Sequence, residues 1–356
     1  MPGPRVSVVV VTHNSRDAIA RTLPALAAEL TDDDELIVVD NASADGTPAA
    51  ARELAPSATV IDAGGNTGFA HANNVGVEVA SGDLVVLLNP DAVPQPGFRE
   101  AIVRPLADGR DWAAWMALVT EDEGRLVNTR GGVIHFTGIA WAGGAGDPLR
   151  PGDAAPREVG FASGACFAVP RRRWTEIGGM PEPFFLYQED VDVSLRLRLA
   201  GGRIGIEPEA QVDHGYEFSK GPAKWRYLER NRWAVIIRTY PLALLLLLAP
   251  ALVATEIALF AIALAGGWGK QKVLAKLDLI RWLPRLVRER RAIQTTRSIP
   301  AAEFARHLTP DLDSAYLGRA ASSKPLRVAL RAYWSVVLVL LGSAGDGASG
   351  SRGATG

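Results

Sequence analysis

Cysteine is almost absent from this chain: one in 356 residues. That excludes a disulfide framework and any cysteine-based zinc module. Histidine is scarce too, at five, and His13, His71, His135 and His307 show no metal-ligand spacing. No Gly-x-Gly-x-x-Gly follows the first apolar run and there is no Walker Gly-Lys-Ser/Thr, which counts against a dehydrogenase and a P-loop NTPase. No apolar run precedes Arg5, so a secretory signal is not expected and a reducing cytoplasmic setting is the default. No internal repeat is visible. The length suits one large or two modest domains whose core needs no structural metal.

The net charge of −1 conceals an asymmetry. Residues 1–216 hold 17 basic and 30 acidic side chains, and residues 217–356 hold 21 and 9, within totals of 38 and 39. The first part reads as an acidic soluble enzyme. The second calls for an anionic partner, a membrane surface or nucleic acid.

Within the first part, strand-like and helix-like stretches alternate. Strands are expected at Arg5–Val11, Glu35–Val39, Thr59–Asp62 and Leu84–Leu88, and helices at Ser15–Leu30, Asp45–Leu54 and Phe69–Ala80. Such alternation predicts a parallel sheet covered on both faces, with ligands at the carboxyl ends of its strands. Further strands are expected at Ala113–Val119, Gly132–Phe136, Cys166–Val169, Ile204–Ile206 and Ala210–Val212, and a helix at Val191–Ala200. Gly143–Pro156 reads as a loop able to order over a ligand.

Polar clusters follow the strands. Asp40 either caps the next turn or accepts hydrogen bonds from a nucleobase or ribose. The stretch Asn66 to Gly76, with Gly68, Asn73 and Asn74, either caps a helix or sets a helix N-terminus against a phosphate. Asn89-Pro90-Asp91 is either a plain turn or a hard oxygen ligand for Mg²⁺ or Mn²⁺. Glu189, Asp190 and Asp192 at a helix start exceed what a helix dipole needs, and the apolar Phe184–Tyr187 run before them could raise a carboxyl into the range of a general base. Asp192 is read as a helix-dipole residue. His214, ending a rim strand, is a possible metal ligand, and Cys166 a small core residue.

Beyond residue 216 the composition changes. Pro222–Arg238 is a basic, aromatic helix. Pro241–Ala265 is an apolar run with a single charge, Glu256, interrupted by Pro250. Lys270–Arg297 carries nine basic and two acidic residues among apolar ones. Tyr333–Leu341 is apolar but short for a span, and residues 342–356 read as disordered.

Five segments in order resemble the family 2 glycosyltransferases of the GT-A fold: VSVVVVTHNS, LIVVDNASADGT, GGNTGFAHANNVG, LLNPDAVP and SGACFAVPRRRWTEIGGMPEPFFLYQEDVDVSLRLRLAG. Among these the chain looks most like bacterial rhamnosyltransferases acting on polyprenyl-diphosphate-linked sugars. The resemblance implies an α/β GT-A domain with a mixed, mainly parallel sheet, a nucleotide-sugar donor and inversion at the anomeric carbon. It implies that Asp40 binds the nucleoside with Thr12 and Asn14 beside the base, and that Asp91 and His214 are metal ligands. It also implies that Asp190 is the catalytic base. Asn66, Gly68, Asn73 and Asn89 are assigned to the donor site and Glu189 to the acceptor. The sequence departs from the family at Asn89, where an aspartate is usual, and at Gly178-Gly179-Met180-Pro181-Glu182.

The expected domains are a catalytic domain over 1–240, a helical membrane-associating region over 241–341 and a tail over 342–356. Arg226, Arg230, Asn231 and Arg232 are expected at an anionic, lipid-linked acceptor, the alternative being a solvated basic helix face. Because both flanks of 241–265 are basic, that segment is expected as a kinked, re-entrant pair of half-helices on the cytoplasmic face of the membrane, followed by an amphipathic helix on anionic headgroups. A buried helix pair or a dimer interface is the alternative. The basic tail adjoins an apolar run, so nucleic acid is not the expected partner. The best donor expectation is dTDP-rhamnose.

Overall fold

A computed structural model describes residues 3–215, 221–313 and 323–350, with side chains to Gly342. The valine- and leucine-rich runs become central strands because both their faces are covered. β1 (Val6–Thr12) and β4 (Leu84–Leu88) are buried throughout, and β2 (Glu35–Asp40) nearly so. They pair in parallel, with β3 (Thr59–Asp62) on the far side of β2. The crossovers are α1 (Arg16–Glu29), α2 (Thr47–Leu54) and α3 (Phe69–Val79).

The rest of the sheet is mixed. β5 (Ala92–Pro94) and α4 (Phe98–Ala107) lead to β6 (Trp112–Glu121) and β7 (Leu126–Thr129). A two-stranded ribbon of β8 (Gly132–Ile134) and β9 (Ala140–Ala142) follows, then β10 (Arg157–Glu158) and β11 (Cys166–Pro170). α5 (Arg171–Ile177) and α6 (Glu189–Leu199) precede β12 (Arg203–His214). The sheet order is β10-β12-β6-β11-β4-β1-β2-β3, with β5 on β12 and β7 on β6. β11 runs antiparallel to β4 and β6, whereas β12 is parallel to β6. This topology decides where the chemistry sits. The carboxyl ends of β1, β2, β4 and β12 and the amino end of β11 share one rim. The two strands expected at 204–206 and 210–212 are one strand, with a register shift between Glu207 and Gln211 that keeps the pairing continuous.

Among the described residues after 221 the elements are helices: α7 (Ala223–Thr239), α8 (Leu242–Ala265), α9 (Gly269–Thr295), α10 (Ala301–Ala305) and α11 (Lys324–Gly350). Three expectations change here. The segment 241–265 is one continuous helix, with Pro250 inside it, in place of two half-helices; the missing amide interrupts one hydrogen bond only, which a long apolar helix tolerates. Tyr333–Leu341 lies within α11, whose Lys324–Gly342 part is long and apolar enough to cross a membrane, as is α8. α11 continues to Gly350, into the segment expected to be disordered, since a helix propagates more easily than it nucleates; residues 351–356 lie outside the described residues.

The chain divides into two compact units, one of residues 1–132, 142–197 and 202–218, the other of 133–141, 198–201 and 219–356. In this division α7, placed before the expected boundary at 240, falls with the helices that follow it. α7 is joined to them by charge. Glu229 and Arg232 pair at 3.2 Å, Arg232 reaches Glu256 of α8 at 3.0 Å, and Lys272 of α9 bonds both Glu229 and Glu256. Lys276 and the Trp233 indole also bind Glu256, at 2.9 and 2.8 Å. The single charge of the apolar run is thus compensated on one helix face. Leu242, Leu246, Val253, Ile257, Phe260 and Leu264 of α8 are exposed, so most of this apolar helix is left uncovered within the chain.

Candidate active site

The rim begins at Thr12 and Asp40, which are neighbours in register on β1 and β2. Thr12 Oγ1 donates to Asp40 Oδ1 at 3.0 Å, and the Ser43 amide to Oδ2 at 3.0 Å. Asp40 is 6% exposed, so its carboxylate is held in one orientation. Asn14, with φ +51°, bridges the two strand ends: its amide donates to Ser43 Oγ and its Oδ1 accepts from the Ala44 amide, both at 2.8 Å. Asn tolerates this left-handed geometry better than most residues.

Beside them lies a network that sequence reasoning missed. The Asn41 carbonyl can only accept, so His13 Nδ1, 2.8 Å away, carries the proton. His13 Nε2 then accepts from Asn66 Nδ2 at 3.3 Å. Asn41 Nδ2 donates to Asn66 Oδ1, and Asn41 Oδ1 accepts from the Thr67 amide and hydroxyl. The clue in the sequence was position: His13 and Asn41 each directly follow a strand. Asn73 takes no part. It is buried and its amide bonds the Phe69 carbonyl of its own helix, so its expected donor role gives way to a structural one.

Further along the rim, Asp91 Oδ1 lies 3.0 Å from His214 Nε2, and Asn89 Nδ2 lies 3.4 Å from the same nitrogen. β12 positions His214 opposite Ala92 of β5, one residue after Asp91. Adjacent ligands on an octahedral cation with bonds of ~2.1 Å stand about 3 Å apart, so this pair fits a divalent ion. Asp91 is well exposed, leaving room for other ligands. Among the described residues no third His, Cys, Asp or Glu joins them, so a bound ion needs oxygens from its substrate and from water.

Asp190 stands at the start of α6. Its Oδ2 accepts from the Gly164 amide at 3.0 Å and its Oδ1 from the Val191 amide at 2.8 Å. Gly164 is there because β11 enters the sheet from this rim. Burial holds the Asp190 carboxyl above the usual aspartate range, against those two N–H bonds that lower it. Glu189 is pushed well up, first by burial and then by Asp190 and Asp192. Glu189 Oε2 and the Gln188 side-chain oxygen, Oε1, are buried without a hydrogen-bond partner among the described residues. Asp192 pairs with Arg196 at 2.6 Å, so its placement as a helix-start residue has a structural partner. The segment before Asp190 is strained: Phe185, Tyr187 and Gln188 have φ of +63°, +73° and +69°, at roughly 1–3 kcal/mol each.

Gly68 is not beside a phosphate cradle. The first amides of α3, Phe69 and Ala70, donate to the Phe185 carbonyl at 2.7 and 3.4 Å, so the expected anion site is occupied by backbone. The loop 143–156 is likewise pinned, by Arg130 to Asp147 at 2.7 Å and Asp153 at 2.8 Å. Cys166 is a core residue with its thiol pushed up to about 12 by burial.

The four residues expected at an acceptor lie on α7 and are engaged within their own unit. Arg226 forms a two-bond pair with Asp278 at 2.7 and 2.8 Å. Arg232 is buried on Glu229, Glu256 and the Thr137 carbonyl. Arg230 donates to Asn231 Oδ1 at 2.9 Å and stacks over Trp282 and Tyr227. Neither a solvated basic face nor an open phosphate fork describes Arg232, because its donors are spent on buried carboxylates.

A profile described as Glycosyl transferase family 2 matches residues 7–172, and one described as Glycosyl transferase family group 2 matches 139–285. The chain is 29% identical over 242 residues to an N-acetylglucosaminyl-diphospho-decaprenol L-rhamnosyltransferase of Mycobacterium tuberculosis, covering 60% of this chain and 77% of that one. It is 25% identical over 256 residues to rhamnosyltransferase WbbL of Escherichia coli, covering 64% and 94%. The fold is like that of GalNAc-T7, solved with UDP, GalNAc and Mn²⁺, at a TM-score of 0.55 and 16% identity over 67% of this chain and 48% of that one. Together with the ordered rim motifs and the GT-A sheet, these matches show that the chain carries glycosyltransferase family 2 domains.

Proposed function

We propose that this glycosyltransferase is inverting and metal-dependent, and that it moves L-rhamnose from dTDP-rhamnose to a saccharide carried on a polyprenyl diphosphate. The observation that carries the reading is the pairing, on one sheet rim, of a cation-sized Asp91–His214 site with a carboxyl, Asp190, raised by burial. The names of the mycobacterial and E. coli relatives supply the sugar and the lipid-linked acceptor. The second reading keeps the same chemistry with another donor sugar.

Asp40, aligned by Thr12 and Ser43, accepts hydrogen bonds from the nucleoside, and Asn14 and Asn66 shape the pocket edge. Asp91 and His214, with Asn89 beside them, would hold Mg²⁺ or Mn²⁺. When bound, the ion neutralises the charge of the departing diphosphate. Asp190 removes the proton from the acceptor hydroxyl as its oxygen bonds the anomeric carbon and the bond to the diphosphate breaks on the opposite face. Glu189, whose carboxyl is pushed up by burial and by its acidic neighbours, is assigned to the acceptor side. No covalent enzyme intermediate is needed, hence inversion.

An anionic membrane surface is the proposed site of action, on the cytoplasmic side where nucleotide sugars are made. α9 supports it: Val273, Leu277, Ile280, Leu283 and Val287 form an exposed stripe, and Arg281, Arg285, Arg288 and Arg291 are exposed beside it. The test is incubation of purified protein with labelled nucleotide sugars and a membrane lipid extract. Label from dTDP-rhamnose should enter the lipid fraction and vanish with the Asp190→Asn variant. Label entering only from another sugar would select the second reading. Protein that fractionates as soluble without detergent would remove the membrane assignment.

A further inference from the structure

α3 reaches the segment that carries Asp190 at two points. Its N-terminus has no side-chain cap; the Phe185 carbonyl serves instead, accepting from the Phe69 and Ala70 amides. Gly68 permits this approach. Its φ is +89°, and a Cβ there would stand 2.5 Å from the Phe185 ring and 2.6 Å from its carbonyl oxygen. One turn on, Asn74 grips the same segment upstream: Oδ1 accepts from the Met180 amide at 2.9 Å and Nδ2 donates to the Met180 carbonyl at 3.0 Å. Gly179 leaves room for it, since a Cβ there would lie 2.5 Å from Asn74 Oδ1. Between these grips and Asp190 stand the left-handed Phe185, Tyr187 and Gln188, conformations that persist only when neighbours hold them. The Phe69 ring and Asp190 Oδ2 also flank the same Gly164.

We infer that α3 positions the acceptor-side base: Gly68 and Asn74 are positioning residues that hold the 179–188 strap and, through it, keep Asp190 against the Gly164 amide. The inference rests on the reading of Asp190 as the base. It reassigns Gly68, whose sequence motif suggested contact with the donor. α3 also follows Asn66 and Thr67, which bond Asn41 at the nucleoside end of the rim. The same helix therefore links the two ends of the site through the chain.

Displacing the strap would weaken the Gly164 N–H bond to Asp190. That bond favours the ionised carboxylate, so its loss raises the carboxyl's pKa and moves the acidic limb of kcat to higher pH. The experiment compares Gly68→Ala, Asn74→Ala and Asp190→Asn in the full-length protein, measuring dTDP-sugar affinity by calorimetry, transfer kcat, and the kcat–pH profile. Gly68→Ala and Asn74→Ala should each lower kcat tenfold or more, leave donor Kd within about twofold, and shift the acidic limb upward. A raised donor Kd with normal kcat would make Gly68 a donor contact and overturn the inference. Reduced kcat with an unmoved limb would make both residues merely structural and would also overturn it. If Gly68→Ala does not fold, Asn74→Ala alone carries the test, since its side chain bonds the strap at the surface of the helix. Full transfer by Asp190→Asn would instead remove the base assignment itself.

Discussion

The two units use their charged residues in opposite ways. On the sheet rim, Asp91 is well exposed beside His214, and Asp190 is half-buried with its carboxylate accepting from the Gly164 and Val191 amides. In the helical unit, Glu229, Arg232, Glu256 and Lys272 form a buried network whose members neutralise one another. The rim spends burial on raising a carboxyl and aiming acceptors at a substrate. The helices spend charge on joining α7, α8 and α9. A formal count of basic residues does not separate these uses; the partners do.

The sharpest break in that comparison is Asp190→Asn. It should lower transfer by about 10²–10⁴-fold while leaving donor binding and folding intact, whereas a charge removed from the helical network should do the reverse. Arg232→Ala leaves Glu229 and Glu256 short of a buried cation. It should cost about 3 kcal/mol or more in urea unfolding, with the acceptor KM of the remaining folded enzyme unchanged; a raised KM at normal stability would return Arg232 to the acceptor.

Removal of the divalent ion with excess chelator should abolish transfer and be reversed by Mn²⁺ or Mg²⁺, and His214→Ala should weaken the metal dependence measured by titration. Full activity in chelator would separate Asp91 and His214 from catalysis. Glu189 gives a pH-dependent contrast. Its folded pKa is raised, so the native state binds a proton more tightly than the unfolded chain. Its contribution is favourable at low pH and is lost as pH rises through that pKa. Glu189→Gln should therefore raise Tm at pH 7 and narrow that gain toward pH 4. The smallest effect is expected at Arg226, whose pair with Asp278 is partly exposed: Arg226→Ala should cost about 1 kcal/mol or less.

The central strand runs and the apolar character of 242–265 were legible because they depend on local pattern: β1 and β4 are buried along their whole length, and 242–265 is apolar at nearly every position. Motifs that directly follow strands were equally legible, since the parallel arrangement carries strand ends to one rim. Asp40, Asp91, Asp190 and His214 all came from that logic or from the resemblance.

What tertiary structure alone decided is which polar groups satisfy one another. Asn74 meets Met180 across 106 positions and Asn89 meets His214 across 125, separations at which no periodicity carries information. The same holds for the occupant of the α3 N-terminus, which is a carbonyl from Phe185 in place of a phosphate, and for Arg232, committed to Glu256 in place of an acceptor. A hydrophobic run declares its burial wherever it stands, because transfer from water is non-directional. A hydrogen bond or ion pair needs its partner within about 3 Å and in line, and only the folded chain brings that partner there.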